Sequence, residues 1–287
     1  MSLQTALFKW MCTRSDAKRD AGLTPPDSIE HLDNIAYGSV RKYHLLDIYR
    51  PKNASGKLPV IVNFHGGGWI YGTKETYRWY CMSLAEQGFA VVNPSYRLAP
   101  KHRFPAAFAD INGVFGFVLK HAAEYGFDTD RMIGIGDSAG ANGMAVYASV
   151  LTDPALAAQF PVKPPKRLKL RALGLNCGRY RACGCEKDYA NILPKEHASD
   201  VLAMLHVPAH VTPDYPPCFL MTATADFMRD EQQCMMDALE KNGVRYIYKM
   251  YGSEQNPLGH VFHCNIRDEH AQQANREELD FLRSCLS

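Results

Sequence analysis

The sequence predicts an α/β fold with a mostly parallel central sheet and helices on both faces. Short apolar runs alternate with helix-length amphipathic stretches through most of the chain. The run Pro59 to Phe64 (PVIVNF) is almost continuously apolar, as a strand buried on both faces requires. A glycine-flanked turn, Gly136 to Gly140, stands where an apolar run gives way to a helical pattern.

Taken in order, residues 1–20 mix apolar and charged positions in a helix-like way, and Thr24-Pro25-Pro26-Asp27 breaks the chain. Tyr43 to Tyr49 reads as an edge strand ended by Pro51, and Lys52 to Lys57 as a turn. Pro59 to Phe64 is a buried strand, Thr76 to Gln87 a helix, Phe89 to Asn93 a strand and Ala106 to Tyr125 a long helix. Arg131 to Ile135 is a strand and Ser138 to Leu151 a helix; Leu168 to Leu175 and Cys218 to Thr222 are strands. Asp230 to Asn242 is a helix, Arg245 to Met250 a strand, and His270 to Cys285 an amphipathic closing helix.

Two segments break the alternation. Residues 1–40 and about 178–213, the latter with a helical piece at Ala198 to Leu205, are assigned to a small helical cap on one domain spanning 1–287. The formal net charge is +2 with 22% charged residues, which gives no basis for a nucleic-acid or anionic-membrane partner. Nine cysteines, an odd number scattered through apolar runs, read as reduced thiols. With no export signal in Met1 to Asp20 and no run of about 18 apolar residues, the expected location is the cytoplasm, without stable membrane association. Oligomeric state is left open, a homodimer included.

Gly136-Asp137-Ser138-Ala139-Gly140 matches G-x-S-x-G between a strand and a helix, the context in which such a serine is a nucleophile. Glycines on either side permit close backbone approach, and the helix N-terminus favours developing negative charge. The plainer reading is that Ser138 caps a helix. Upstream, His65-Gly66-Gly67-Gly68-Trp69 follows the strand ending at Phe64. Uncrowded glycine N–H groups can converge on the oxygen of an acyl-transfer intermediate, each donor contributing about 3–4 kcal/mol to the transition state. Gly67 and Gly68 are assigned as donors with Ala139 as the third, Gly66 being less suited; Trp69 is assigned to the pocket wall and His65 to bracing the loop.

Together these motifs resemble the hormone-sensitive-lipase-like branch of α/β-hydrolase esterases. Tyr96-Arg97-Leu98-Ala99-Pro100 and Phe104-Pro105-Ala106-Ala107 are similar to that family's Y-R-L-A-P and F-P-A-A stretch, and Asn142 fits its G-D-S-A-G-x-N form. The resemblance runs from about residue 43 to the C-terminus. It implies the α/β-hydrolase fold, a helical cap partly made by the N-terminus, and hydrolysis of short-acyl esters without a cofactor. Tyr96 and Arg97 are read as structural, with the arginine fork fixing loops.

Chain order in this fold is serine, acid, histidine. Asp226 and Asp230 both follow the strand Cys218 to Thr222. The family's D-P-L-R-D pattern carries the role to Asp226, with Phe227 replacing the usual proline, and Asp230 is explained as a first-turn carboxylate. For the base, the family's H-G-F form matches His260 with Phe262, while Val261 departs from it and His263 stands as a rival.

Cys177, Cys183 and Cys185 invite a zinc reading, but no spaced partner pair completes it, so no metal is assigned. The basic stretch Lys163 to Arg171 reads as a solvated loop. The expected activity is therefore hydrolysis of a small-molecule ester, acetyl-like in its acyl group. An aryl amide or formamide hydrolase with the same three residues is an alternative. A non-catalytic small-molecule receptor is another, though it would be expected to have lost one of them.

Overall fold

The computed structural model describes residues 3–286. The elements in chain order are α1 (Leu3–Asp20), β1 (Ile29–Ala36), β2 (Leu45–Pro51), β3 (Leu58–Phe64), α2 (Arg78–Ala85), β4 (Ala90–Pro94), α3 (Ala106–Lys120), α4 (Ala122–Tyr125) and β5 (Phe127–Asp137). There follow α5 (Ala139–Thr152), α6 (Pro154–Gln159), β6 (Ala172–Asn176), α7 (Glu186–Tyr189), α8 (Ala198–Leu205), β7 (Cys218–Ala223), α9 (Glu231–Lys241), β8 (Tyr246–Tyr251) and α10 (Glu269–Ser284). The eight strands form one sheet in the order β1-β2-β4-β3-β5-β6-β7-β8. β2 runs antiparallel to both its neighbours, and every other pairing is parallel. This is the α/β-hydrolase fold.

Burial on both faces explains the apolar strands. In β3, Val60, Val62 and Phe64 enter one core with α3 and α5, while Ile61 enters the opposite core with α2 and α10. Side chains alternate across a sheet, so a strand covered on both sides must be apolar at successive positions. The helix α10 shows the complementary pattern: Ala271, Ala274, Leu279 and Leu282 are buried while Arg276, Asp280 and Arg283 face out. Its first turn is capped by Asp268, whose carboxylate accepts from the N–H groups of His270 and Ala271.

Three expectations need correction. Residues 29–36, assigned with the cap, form the outermost strand, so the strand read over Tyr43 to Tyr49 is not at the edge. β1 was not apparent because its side chains are mostly exposed; Glu30, His31, Asp33 and Asn34 carry no apolar alternation. The long helix at Ala106 breaks at His121, which ends α3 before the short α4 and the left-handed Gly126. The strand read from Leu168 begins only at Ala172.

The remaining irregular segments lie over the carboxyl ends of the strands. The 178–213 stretch contains α7 and α8 and is tied down where Asn142 of α5 donates to the Leu205 carbonyl at 3.2 Å. The C-terminal part of α1 is fastened by Tyr71, which donates to Asp16 (2.7 Å), and by Arg19, which donates to the Thr76 carbonyl (2.8 Å). Among the described residues, no helix is long and apolar enough to cross a membrane.

Candidate active site

Ser138 sits at the junction of β5 and α5 with φ 52° and ψ −118°. A non-glycine residue there is strained by an order of 1–3 kcal/mol and persists only where its surroundings hold it. The Ser138 N–H donates to Asn176 O at the end of β6 (2.8 Å). The flanking glycine is equally constrained: a Cβ on Gly140 would lie 1.8 Å from the Phe64 carbonyl oxygen. The capping reading of Ser138 fails, because its side chain makes no cap hydrogen bond. Its Oγ instead lies 2.9 Å from His260 Nε2.

The structure brings His260 and Asp226 to the same place. His260 Nδ1 lies 2.7 Å from Asp226 Oδ1. The Asp226 carboxylate is further held by the Met228 N–H (2.8 Å) on Oδ1 and the Thr222 hydroxyl (2.8 Å) on Oδ2. Burial would raise the pKa of the Asp226 carboxyl, but the hydrogen bond and charge of His260, with the Met228 and Thr222 donors, outweigh it and hold it below the usual range. Asp230, the rival, is exposed, makes no cap bond and lies beside Arg229 at 3.4 Å. His263, the other rival, is sealed in the core away from Ser138 and packs edge-on against Tyr80.

The glycine loop is shaped by its neighbours. Gly67 has φ 105°, and a Cβ there would lie 2.3 Å from the Tyr71 carbonyl oxygen. Gly68 and Trp69 continue in the left-handed region at φ 60° and 65°. The Gly66 N–H is engaged by Asp137 (3.0 Å) and the Tyr77 hydroxyl (3.1 Å), which removes it as a donor to a substrate. The N–H groups of Gly67, Gly68 and Ala139 donate to no carbonyl or side chain among the described residues. His65 is fully buried, stacked between Tyr96 and Tyr77, with Nδ1 2.8 Å from the Gly66 oxygen. Burial lowers its imidazole to about 4, so it stays neutral. Arg97 holds Asp110 through its Nε at 2.9 Å and a second nitrogen at 2.6 Å, pinning the loop before α3.

A cavity of about 280 Å³ opens at Ser138. Gly68, Trp69, Ala139, Asn142, Tyr189, Phe227 and Met228 line it, with the Arg179–Asp188 ion pair (2.7 Å) among the walls. Trp69 is buried there against Phe64 and Phe108. Phe227, in the place of the family's proline, lies 4.3 Å from the His260 ring, centroid to centroid. Sequence reasoning missed Thr222, which carries no motif, and the position of Cys177 behind the Asp226–His260 pair. Its neighbours in the declined zinc reading, Cys183 and Cys185, enter no candidate metal cluster among the described residues.

Comparison with known proteins bears on the family and the class of activity. Residues 61–263 match the family described as alpha/beta hydrolase fold. The chain is 32% identical to carboxylesterase NlhH of Mycobacterium tuberculosis over 246 residues, covering 77% of this chain and 74% of that one. It is 31% identical to an arylesterase of Saccharolobus solfataricus over 208 residues, covering 69% and 67%. It is 29% identical to the versiconal hemiacetal acetate esterase of Dothistroma septosporum, covering 77% and 72%. A crystal structure of esterase B from Lactobacillus rhamnosis superposes with a TM-score of 0.89 over 99% of this chain and 94% of that one, at 24% identity.

The chain belongs to the α/β-hydrolase fold family, in its hormone-sensitive-lipase-like esterase branch. Within that family it is a serine carboxylesterase.

Proposed function

We propose that Ser138, His260 and Asp226 are the catalytic triad and that the substrate is a small-molecule ester with a short acyl group. The observation that carries the reading is the unbroken relay from Asp226 through His260 to Ser138, at 2.7 and 2.9 Å. In the proposed mechanism His260 takes the Ser138 proton as Oγ attacks the ester carbonyl. The oxyanion is received by the N–H groups of Gly67, Gly68 and Ala139, and His260 returns its proton to the departing alcohol. Water then attacks the acyl-enzyme, again with His260 as base. Asp226, kept ionised by its donors, orients the imidazole and stabilises its charged form.

The short-acyl preference is supported by the cavity beside Ser138. Its 280 Å³ lies just below the roughly 300–1,000 Å³ of small-molecule sites, and aromatic and charged side chains wall it. A relative named for an acetate ester agrees.

Ser138→Ala should abolish hydrolysis of p-nitrophenyl acetate while leaving the circular dichroism spectrum unchanged. Near-normal turnover would remove the nucleophile assignment. Across p-nitrophenyl esters from acetate to laurate, kcat/KM should fall steeply with acyl length, and a maximum at laurate would refute the short-acyl reading.

A further inference from the structure

Cys177 follows the last residue of β6, is fully buried, and adopts φ 49°. Such a conformation is costly for a residue with a Cβ. It is held in place by the Cys177 N–H, which donates to Met221 O at 2.7 Å. The result is a thiol lodged behind the Asp226–His260 pair. Its Sγ, a carboxylate oxygen of Asp226 and an imidazole nitrogen of His260 all lie within 4.8 Å of one another. The mechanism above makes no use of this thiol.

Thiolate, imidazole and carboxylate are the ligand types that zinc takes, at about 2.0–2.3 Å. We propose that Cys177, Asp226 and His260 form an inhibitory site for a thiophilic divalent cation of the zinc kind. The charge balance favours it: the ion's two positive charges are matched by one thiolate and one carboxylate, so the buried complex carries no net charge. Binding breaks the Asp226–His260 hydrogen bond and forms three metal–ligand bonds. The thiol proton leaves to solvent, and the imidazole proton passes from Nδ1 to Nε2, so the bound imidazole stays neutral. An imidazole bound through Nδ1 and turned toward the metal no longer faces Ser138 correctly to act as its base. Cys177 and Asp226 are buried while His260 is partly exposed, so the ion enters past the imidazole and inhibition develops with time.

Loss of activity as the readout rests on the proposed triad; metal binding itself does not. Preincubation of the full-length enzyme with zinc chloride should therefore produce time-dependent loss of p-nitrophenyl acetate hydrolysis, reversed by EDTA. In Cys177→Ala, which removes one ligand and no group assigned to catalysis, the half-inhibitory zinc concentration should rise at least about tenfold. Equal sensitivity in the variant would overturn the proposal. An independent readout uses cobalt(II) added to Ser138→Ala, which retains all three ligands. A thiolate-to-cobalt charge-transfer band should appear in the near ultraviolet and be lost when Cys177→Ala is added. Absence of that band refutes the site even if the triad assignment stands, and its presence supports the site even if that assignment fails.

Discussion

His260 and His263 lie within one short turn of chain and have opposite surroundings. His260 is partly exposed with both ring nitrogens engaged, one to Asp226 and one to Ser138. His263 is fully buried, its Nδ1 has no hydrogen-bond partner among the described residues, and its ring packs against Tyr80. Burial lowers its imidazole to about 3, so it remains neutral. The chain separates the two at Val261, a β-branched residue held at φ 53° that turns the backbone into a short helical turn over Phe262–Cys264. Residue type alone therefore decides nothing here. The difference between a proposed general base and a piece of core is made by which side of Val261 each ring leaves the chain.

The largest effect expected from breaking this contrast is His260→Ala, which should lower kcat for p-nitrophenyl acetate by about 10⁴-fold or more. Asp226→Asn should follow with about 10³–10⁴-fold, because the imidazole loses its orientation while the fold stays intact. His263→Ala should cost less than about tenfold in kcat/KM but lower the melting temperature by several degrees, since it opens a void beside Tyr80. A large kcat loss from His263→Ala with a mild effect of His260→Ala would reverse the assignment.

The smallest effect sharpens the comparison from the other side of Tyr80. Glu278 of α10 is fully buried near the Tyr80 hydroxyl at 3.4 Å, and burial pushes its carboxyl up from 4.5 to about 8. The folded protein thus holds a proton that the unfolded chain releases. Its contribution to stability is complete below about pH 4.5 and is lost as pH rises toward about 8. His263 has the opposite sign: its contribution is present above about pH 6.5 and is lost as pH falls toward 3. Glu278→Gln, which keeps the shape and cannot ionise, should raise the melting temperature by a few degrees at pH 8 and leave it unchanged at pH 4.5. Equal shifts at both pH values would show that ionisation of this carboxyl is not the cause.

Much of the molecule was legible in the sequence because its signals were local. The strands β3 to β8 announced themselves as short apolar runs, and G-x-S-x-G marked a turn that only glycine can flank. β1 was not legible, because an edge strand with exposed side chains has no periodic apolar signature. Cys177 was not legible as a neighbour of Asp226, because its proximity arises from strand pairing rather than from spacing along the chain, and Thr222, though only four residues before Asp226, carries no motif. The separation of His260 from His263 depended on one left-handed valine, which sequence pattern does not forecast.

The main chain stitches these strand ends together sideways. Ser138 N–H reaches Asn176 O, Cys177 N–H reaches Met221 O, Thr224 N–H reaches Tyr251 O, and Ala225 N–H reaches Leu258 O, two residues before His260. The gap between hydroxyl and imidazole is thus inherited from the sheet's own lattice, rung by rung, rather than set by the groups that surround it. The chamber walls can therefore change without moving the Ser138 hydroxyl relative to the His260 imidazole.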